Sequence, residues 1–233
     1  MKKYLLIVLA LMAIADMGCK DNAYAPGPPA PANSYFPETL GSTWKYRDSI
    51  YGEKTDMAPI YGVTNDTISF TINGGTSDLN SLKCYDATVF SRHYGAGIAY
   101  FYNNSHVFGL VTNSAPYGLT FLQMLTDTAK TGYTWTTSPV CGTYAESVFQ
   151  STPVRTINTI LERNITKVVG GKTFTNVIHT SVNFQMKNDS TGFHNIAYYD
   201  FYLAQGVGLI EKDAYIYGNL NETETIVDYN IKN

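Results

Sequence analysis

Thr67-Ile68-Ser69-Phe70-Thr71-Ile72 alternates polar and apolar side chains without a fault and then meets Asn73-Gly74-Gly75. A period of two is the mark of a half-buried β-strand, and an Asn-Gly-Gly step predicts a turn at its end. Ser181-Val182-Asn183-Phe184-Gln185-Met186 repeats the pattern and stops in Lys187-Asn188-Asp189-Ser190. At the C-terminus Val227, Tyr229 and Ile231 alternate with Asp228 and Asn230. Leu82 to Phe90, Ile98 to Tyr102, Val107 to Val111, Ile157 to Val169 and Tyr215 to Tyr217 read as further strands. Ile196 to Leu203 (IAYYDFYL) is nearly apolar on both faces, which predicts a central strand covered on both sides.

Helical signals are weak by comparison. Leu119 to Leu125 is the best candidate for a short helix, with a helical turn near Leu79. No stretch carries a long 3.6-residue period with caps. Many short strands without crossover helices require antiparallel pairing. The expected fold is therefore all-β: a mostly antiparallel curved sheet, as an open or half barrel or a sandwich, with at most short helices. Curling or pairing hides the apolar face and the edges.

Outward from this domain lies an address. Lys2 and Lys3 precede an apolar run from Tyr4 to Ile14, the length of a signal h-region and too short to span a bilayer as a helix. Gly18-Cys19 then matches the end of a bacterial lipobox, although Asp16 and Met17 depart from its aliphatic pattern. The predicted organisation is a signal peptide over 1–18, lipid attachment at Cys19, a Pro-rich tether over 19–34 and one β-rich domain over 35–233. The tether holds DNAYAPGPPAPAN, whose composition favours solvated polyproline II. At about 3.1 Å per residue its thirteen residues reach about 40 Å. A lipid-anchored place in the cell envelope follows, with the outer membrane as the expected membrane.

Removing Lys2, Lys3 and Asp16 from 16 basic and 19 acidic residues leaves 14 and 18. A mildly acidic chain lacks the footprint of a nucleic-acid binder. Nineteen tyrosines and only 15% charged residues suit sheets and turns. Cys84 and Cys141 remain once Cys19 is set aside, and in an oxidising compartment they could pair as a disulfide or stay as two buried thiols.

Catalytic and metal motifs are missing from the sequence. His93, His106, His179 and His194 are scattered, without a metal-ligand spacing. No Gly-x-Ser-x-Gly elbow is present. Glu146, Glu162 and Asp200 sit on strand-like segments as the carboxylates from which a glycosidase pair would be drawn. No cofactor and no metal are expected. The one binding signal is aromatic. Tyr94, Tyr100 and Tyr102, with Tyr198, Tyr199 and Tyr202, place rings on both faces of strands, where one face fills a core and the other can stack on a ligand.

Four segments also resemble a family of uncharacterised Gram-negative envelope lipoproteins. Tyr35-Phe36-Pro37 with Gly41-Ser42-Thr43-Trp44-Lys45-Tyr46 is similar to their Phe-Pro and Gly-x-x-Trp-x-Tyr opening. Gly132-Tyr133-Thr134-Trp135, Gly171-Lys172-Thr173-Phe174-Thr175-Asn176-Val177 and Gly206-Val207-Gly208-Leu209-Ile210 resemble their later steps. The resemblance implies an antiparallel β fold and an envelope location, and it carries no activity. The function expected is a non-enzymatic binding or interaction module on the membrane through its lipid, with a glycan, lipid or envelope protein as partner. The alternatives are a carrier of hydrophobic molecules, which needs a chamber of roughly 300–1,000 Å³, and a carbohydrate-active enzyme.

Overall fold

The computed structural model describes residues 34–51, 64–79, 82–92, 95–104, 106–114, 118–137, 154–188 and 191–232. Twelve strands run through them: β1 (Thr43–Ile50), β2 (Thr64–Leu79), β3 (Leu82–Ser91), β4 (Gly95–Asn104), β5 (Val107–Ser114), β6 (Gly118–Thr126), β7 (Thr134–Thr137), β8 (Val154–Val169), β9 (Lys172–Asn188), β10 (Gly192–Ala204), β11 (Gly208–Ile216) and β12 (Asn219–Asn230). They form one antiparallel sheet in the order β6-β5-β4-β3-β2-β1-β12-β11-β10-β9-β8-β7. Every strand thus pairs with its sequence neighbour except β6 with β7, and β12 returns to β1. This is an up-and-down meander curled until it is nearly a closed barrel. Across the remaining gap β6 packs on β8 and β9, where the Thr180 hydroxyl donates to the Met124 carbonyl at 2.7 Å.

Alternation decides which face turns inward. On β1, Trp44, Tyr46 and Asp48 are buried while Lys45 and Arg47 are exposed. Ile72, Phe101, Phe108, Ile160, Ile178, Val182, Phe201 and Ile210 fill the same interior from the other strands. A largely apolar inside with Lys45 and Arg47 outside is the reverse of a membrane-spanning barrel, whose apolar band faces lipid.

The lower end of the barrel is plugged by the residues just before β1. Ser34, Tyr35 and Phe36 are buried, and the Phe36 ring lies 5.8 Å from Trp44 and 4.5 Å from Phe101. The Trp44 indole N–H donates to the Val207 carbonyl at 2.6 Å, and Tyr46 donates to Leu209 at 2.8 Å. The Gly206 N–H reaches the Ser34 carbonyl at 2.8 Å. Gly206 and Gly208 have φ of 76° and 101°, the left-handed side that a β10–β11 turn this tight requires. The opening and closing motifs of the sequence are therefore two halves of one plug.

Several local expectations change. Leu79 is the last residue of strand β2, not part of a helical turn. Asn73-Gly74-Gly75 does not end a strand: β2 runs through it as a bulge between Ile72 and Thr76, with Gly74 at φ 82°. Leu119–Leu125 is strand β6, not a helix, because ladders to β5 and packing against β9 outweigh local propensity. β10 is central but covered on one face only, since its outward Tyr198, Asp200 and Tyr202 are partly exposed and shield one another. Gly41-Ser42-Thr43-Trp44 and Gly132-Tyr133-Thr134-Trp135 share a Gly-x-Thr-Trp pattern and fall at equivalent places in the sheet. Gly41 and Gly132 share φ near 80° and precede β1 and β7, the first strands of two six-stranded meanders.

Candidate functional site

The register sets one rung of charged side chains across the inside of the barrel. Asp66 on β2 lies opposite Asp48 on β1, which lies opposite Glu224 on β12, which lies opposite Lys212 on β11. Glu222 joins them from one pair further along β12. Each acid holds the same phase as apolar core residues of its own strand, which is what carries it inward. Lys212 Nζ lies 2.7 Å from a Glu224 oxygen and 3.0 Å from a Glu222 oxygen. Asp66 accepts from the Ser91 hydroxyl and, at 2.6 Å, from the Thr67 N–H. Asp48 is 1% exposed and its Oδ1 has no hydrogen-bond partner.

Burial, then the charges of Glu222 and Glu224, push the Asp48 carboxyl up to about 7. Burial also raises Glu224, despite Lys212. At Glu222 burial is opposed and outweighed by Lys212, so its carboxyl is held below the usual range. Burial disfavours the Lys212 charge, but Glu224 and Glu222 more than restore it and hold the ammonium protonated. Near the plug Glu38 is raised to about 7, chiefly by burial, against hydrogen bonds from Asn103 and Tyr85.

A pH dependence follows for the metal-free protein. Asp48 and Glu38 keep their protons when folded at pH values where the unfolded chain has lost them. Their contribution is complete below the ordinary values of 3.8 and 4.5 and disappears as pH rises through about 7. The thermal midpoint in EDTA is therefore expected to fall between pH 5 and pH 8, and Asp48→Asn with Glu38→Gln to flatten that slope. A midpoint that rises over this range would contradict the assignment.

Below the rung lies a small apolar cavity of about 60 Å³, lined by Phe36, Trp44, Phe70, Phe101, Met124 and Phe201 among others, with Lys212 and Glu224 at its polar end. That is far short of the several hundred Å³ of a typical ligand chamber.

On the outer face of β8–β11 a second arrangement stands apart. His179 Nδ1 lies 3.1 Å from Glu162 and its Nε2 lies 2.9 Å from Asp200. Tyr198 donates to the same Asp200 oxygen at 2.7 Å. Burial alone would lower the His179 pKa, but Asp200 and Glu162 raise it. The imidazole stacks on Tyr202 at 4.1 Å, and Lys167 Nζ sits 3.5 Å from the centre of that ring. A stacked ring and an ammonium this close cannot share one face, so both faces of Tyr202 are taken. Tyr198 and Tyr215 sit 5.7 Å apart beside it.

The structure separates the tyrosines that the sequence groups. Tyr198 and Tyr202 share the outer His179 patch, whereas Tyr199 points inward, where Lys212 and Glu222 influence its hydroxyl. Tyr100 and Tyr102 lie on another outer face, packed on Cys84 and Val111 with Phe121. Cys84 is fully buried there. Tyr94, Cys19, Cys141 and Glu146 lie outside the described residues. Glu162 and Asp200 are brought together through His179, on a sheet surface and not across a cleft. Asp48, Asp66, Lys212, Glu222 and Glu224 were not expected as a group. Their signal is phase: Tyr46-x-Asp48, Asp66-x-Ile68-x-Phe70, Ile210-x-Lys212-x-Ala214 and Glu224-x-Ile226 each put a charge on the apolar side of its strand.

No protein-family model and no curated protein matches the sequence. Solved structures give likenesses of fold. A presumed lipoprotein from Parabacteroides distasonis is 13% identical, with 84% of this chain and 98% of that one covered at a TM-score of 0.49. A presumed exported protein with a YmcC-like fold from Bacteroides fragilis is 9% identical over 84% and 98%, at 0.47. A beta-barrel-like protein of a domain of unknown function from Brucella abortus is 10% identical over 83% and 99%, at 0.38. At these identities no site residue is carried across.

Proposed function

We propose that this chain is a non-enzymatic interaction module of the cell envelope, tethered through Cys19, that meets its partner on the outer face of β8–β11. The observation that carries the reading is the contrast between the small apolar cavity of about 60 Å³ inside and an outward array of tyrosines, His179 and carboxylates. A carrier of hydrophobic molecules would need a chamber several times larger than this cavity. The export signal and Pro-rich tether of the sequence supply the address.

The chemistry of that outer face fits a glycan. Tyr198 and Tyr215 offer flat apolar rings, and Asp200 and Asp213 beside them accept hydrogen bonds from hydroxyls. The Thr223 hydroxyl already donates to Asp213 at 2.7 Å, holding the carboxylate in place. Tyr202 serves the array by fixing His179 and Lys167 and leaves stacking to the other two rings.

Co-sedimentation with isolated envelope polysaccharide tests this. The exported chain should be retained, and the double variant Tyr198→Ala/Tyr215→Ala should bind about tenfold more weakly, the equivalent of about 1.4 kcal/mol. Equal retention of variant and parent, or retention of neither, overturns the glycan reading.

A further inference from the structure

We propose that Asp48, Glu222 and Glu224 form a binding site for a hard divalent cation of the calcium type, inside the barrel and separate from the outer face. This does not rest on the glycan reading, because none of the three side chains belongs to that face.

Three observations point to a cation. One carboxylate oxygen from each residue can be chosen so that all lie within 4.8 Å of one another, a spacing that a single ion with oxygen ligands at 2.3–2.6 Å can span. The Asp48 side chain is buried to within 1% of its surface, yet its Oδ1 has no partner, an expensive state for an acceptor that water does not reach. Finally, like charges stand directly opposite across β1 and β12, and the flanking acid on β2 aggravates this. Such pairs destabilise a sheet unless something neutralises them.

Lys212 neutralises part of the set. It contacts Glu222 and Glu224, and no ion pair joins it to Asp48 among the described residues. With a cation bound and all three carboxylates ionised, the single ammonium leaves two negative charges, which a divalent ion cancels and a second ammonium would not. Asp66 stays outside the coordination set, its oxygens already engaged by Ser91 and the Thr67 N–H. An all-carboxylate set without His or Cys selects calcium-like ions over zinc or copper. Entry is from the side of Glu222, whose side chain is 26% exposed while that of Glu224 is 10% exposed.

Terbium luminescence on the EDTA-treated exported chain is the test, because Tyr46 and Tyr199 flank the acids and can sensitise a lanthanide held there. The expected result is saturable emission at one ion per chain, displaced by Ca²⁺. Asp48→Asn and Glu222→Gln should each weaken binding at least tenfold, and Glu211→Gln on the outer face should leave it unchanged. Circular dichroism checks that each variant is folded. Should Asp48→Asn fail to fold, the partly exposed Glu222→Gln still decides, as does Ca²⁺ titration calorimetry on the parent. No saturable binding at millimolar ion, emission that Ca²⁺ does not displace, or equal emission from the folded variants would overturn the proposal.

Discussion

Trp44→Ala is expected to lower the unfolding free energy by about 3–5 kcal/mol, the range for deleting a large aromatic side chain from a packed core. Trp44 is 3% exposed, stacks on Phe36 and bonds the carbonyl of Val207. Its loss removes more than a ring. It opens the plug that joins residues 34–36 to the β10–β11 turn, and it leaves the Val207 carbonyl without its donor. Trp44→Phe separates the two effects, since it keeps much of the ring volume and loses the N–H. It should cost about 1–3 kcal/mol, the penalty of an unsatisfied buried acceptor. Tyr133→Ala, at a ring that is 47% exposed, should change stability by no more than about 0.5 kcal/mol. Urea unfolding of the three variants measures this, and a Trp44→Ala midpoint equal to that of the parent would show that the plug is not formed.

Lys212→Met is expected to be comparably severe, at about 3–5 kcal/mol near neutral pH. Removing one partner of a buried ion pair leaves the others uncompensated. The methionine fills similar volume, so packing accounts for little of the loss. The pH dependence identifies the cause. Glu222 is held low by Lys212, and without the ammonium its carboxyl moves upward together with Glu224 and Asp48. Groups whose folded pKa is raised stabilise fully below their unfolded values and lose that contribution as pH rises through the folded value. The deficit of Lys212→Met relative to the parent should therefore be larger at pH 8 than at pH 5. Adding Glu224→Gln should recover part of it, because the two positions couple directly. A deficit independent of pH would mean that Lys212 acts through its aliphatic stem alone.

Strand existence was legible where alternation is strict, as in Thr67–Ile72 and Ser181–Met186, because a period of two has one physical cause. The Asn73-Gly74-Gly75 bulge was not, since a Gly that permits a turn equally permits a bulge, and the choice depends on what β3 offers opposite. β6 was misread because Leu119–Leu125 is too short for periodicity to separate helix from strand. Closure through β12 and β1 joins residues nearly two hundred positions apart, which no local pattern encodes. The charged rung was half legible. The phase of Asp48, Asp66, Lys212 and Glu224 was in the sequence, but which acids meet depends on register between strands. The tyrosines show the opposite failure, since ring content identified them and register divided them among three places.

On the proposed reading the barrel meets its partner from outside and holds no organic molecule within. Native mass spectrometry of the exported chain, purified gently from its membrane in EDTA, tests that most directly. The expected species has the mass of the cleaved polypeptide with its lipid on Cys19 and nothing further bound. A stoichiometric organic molecule that is released only on unfolding would contradict it, and would make the interior between Trp44 and Lys212 a ligand chamber.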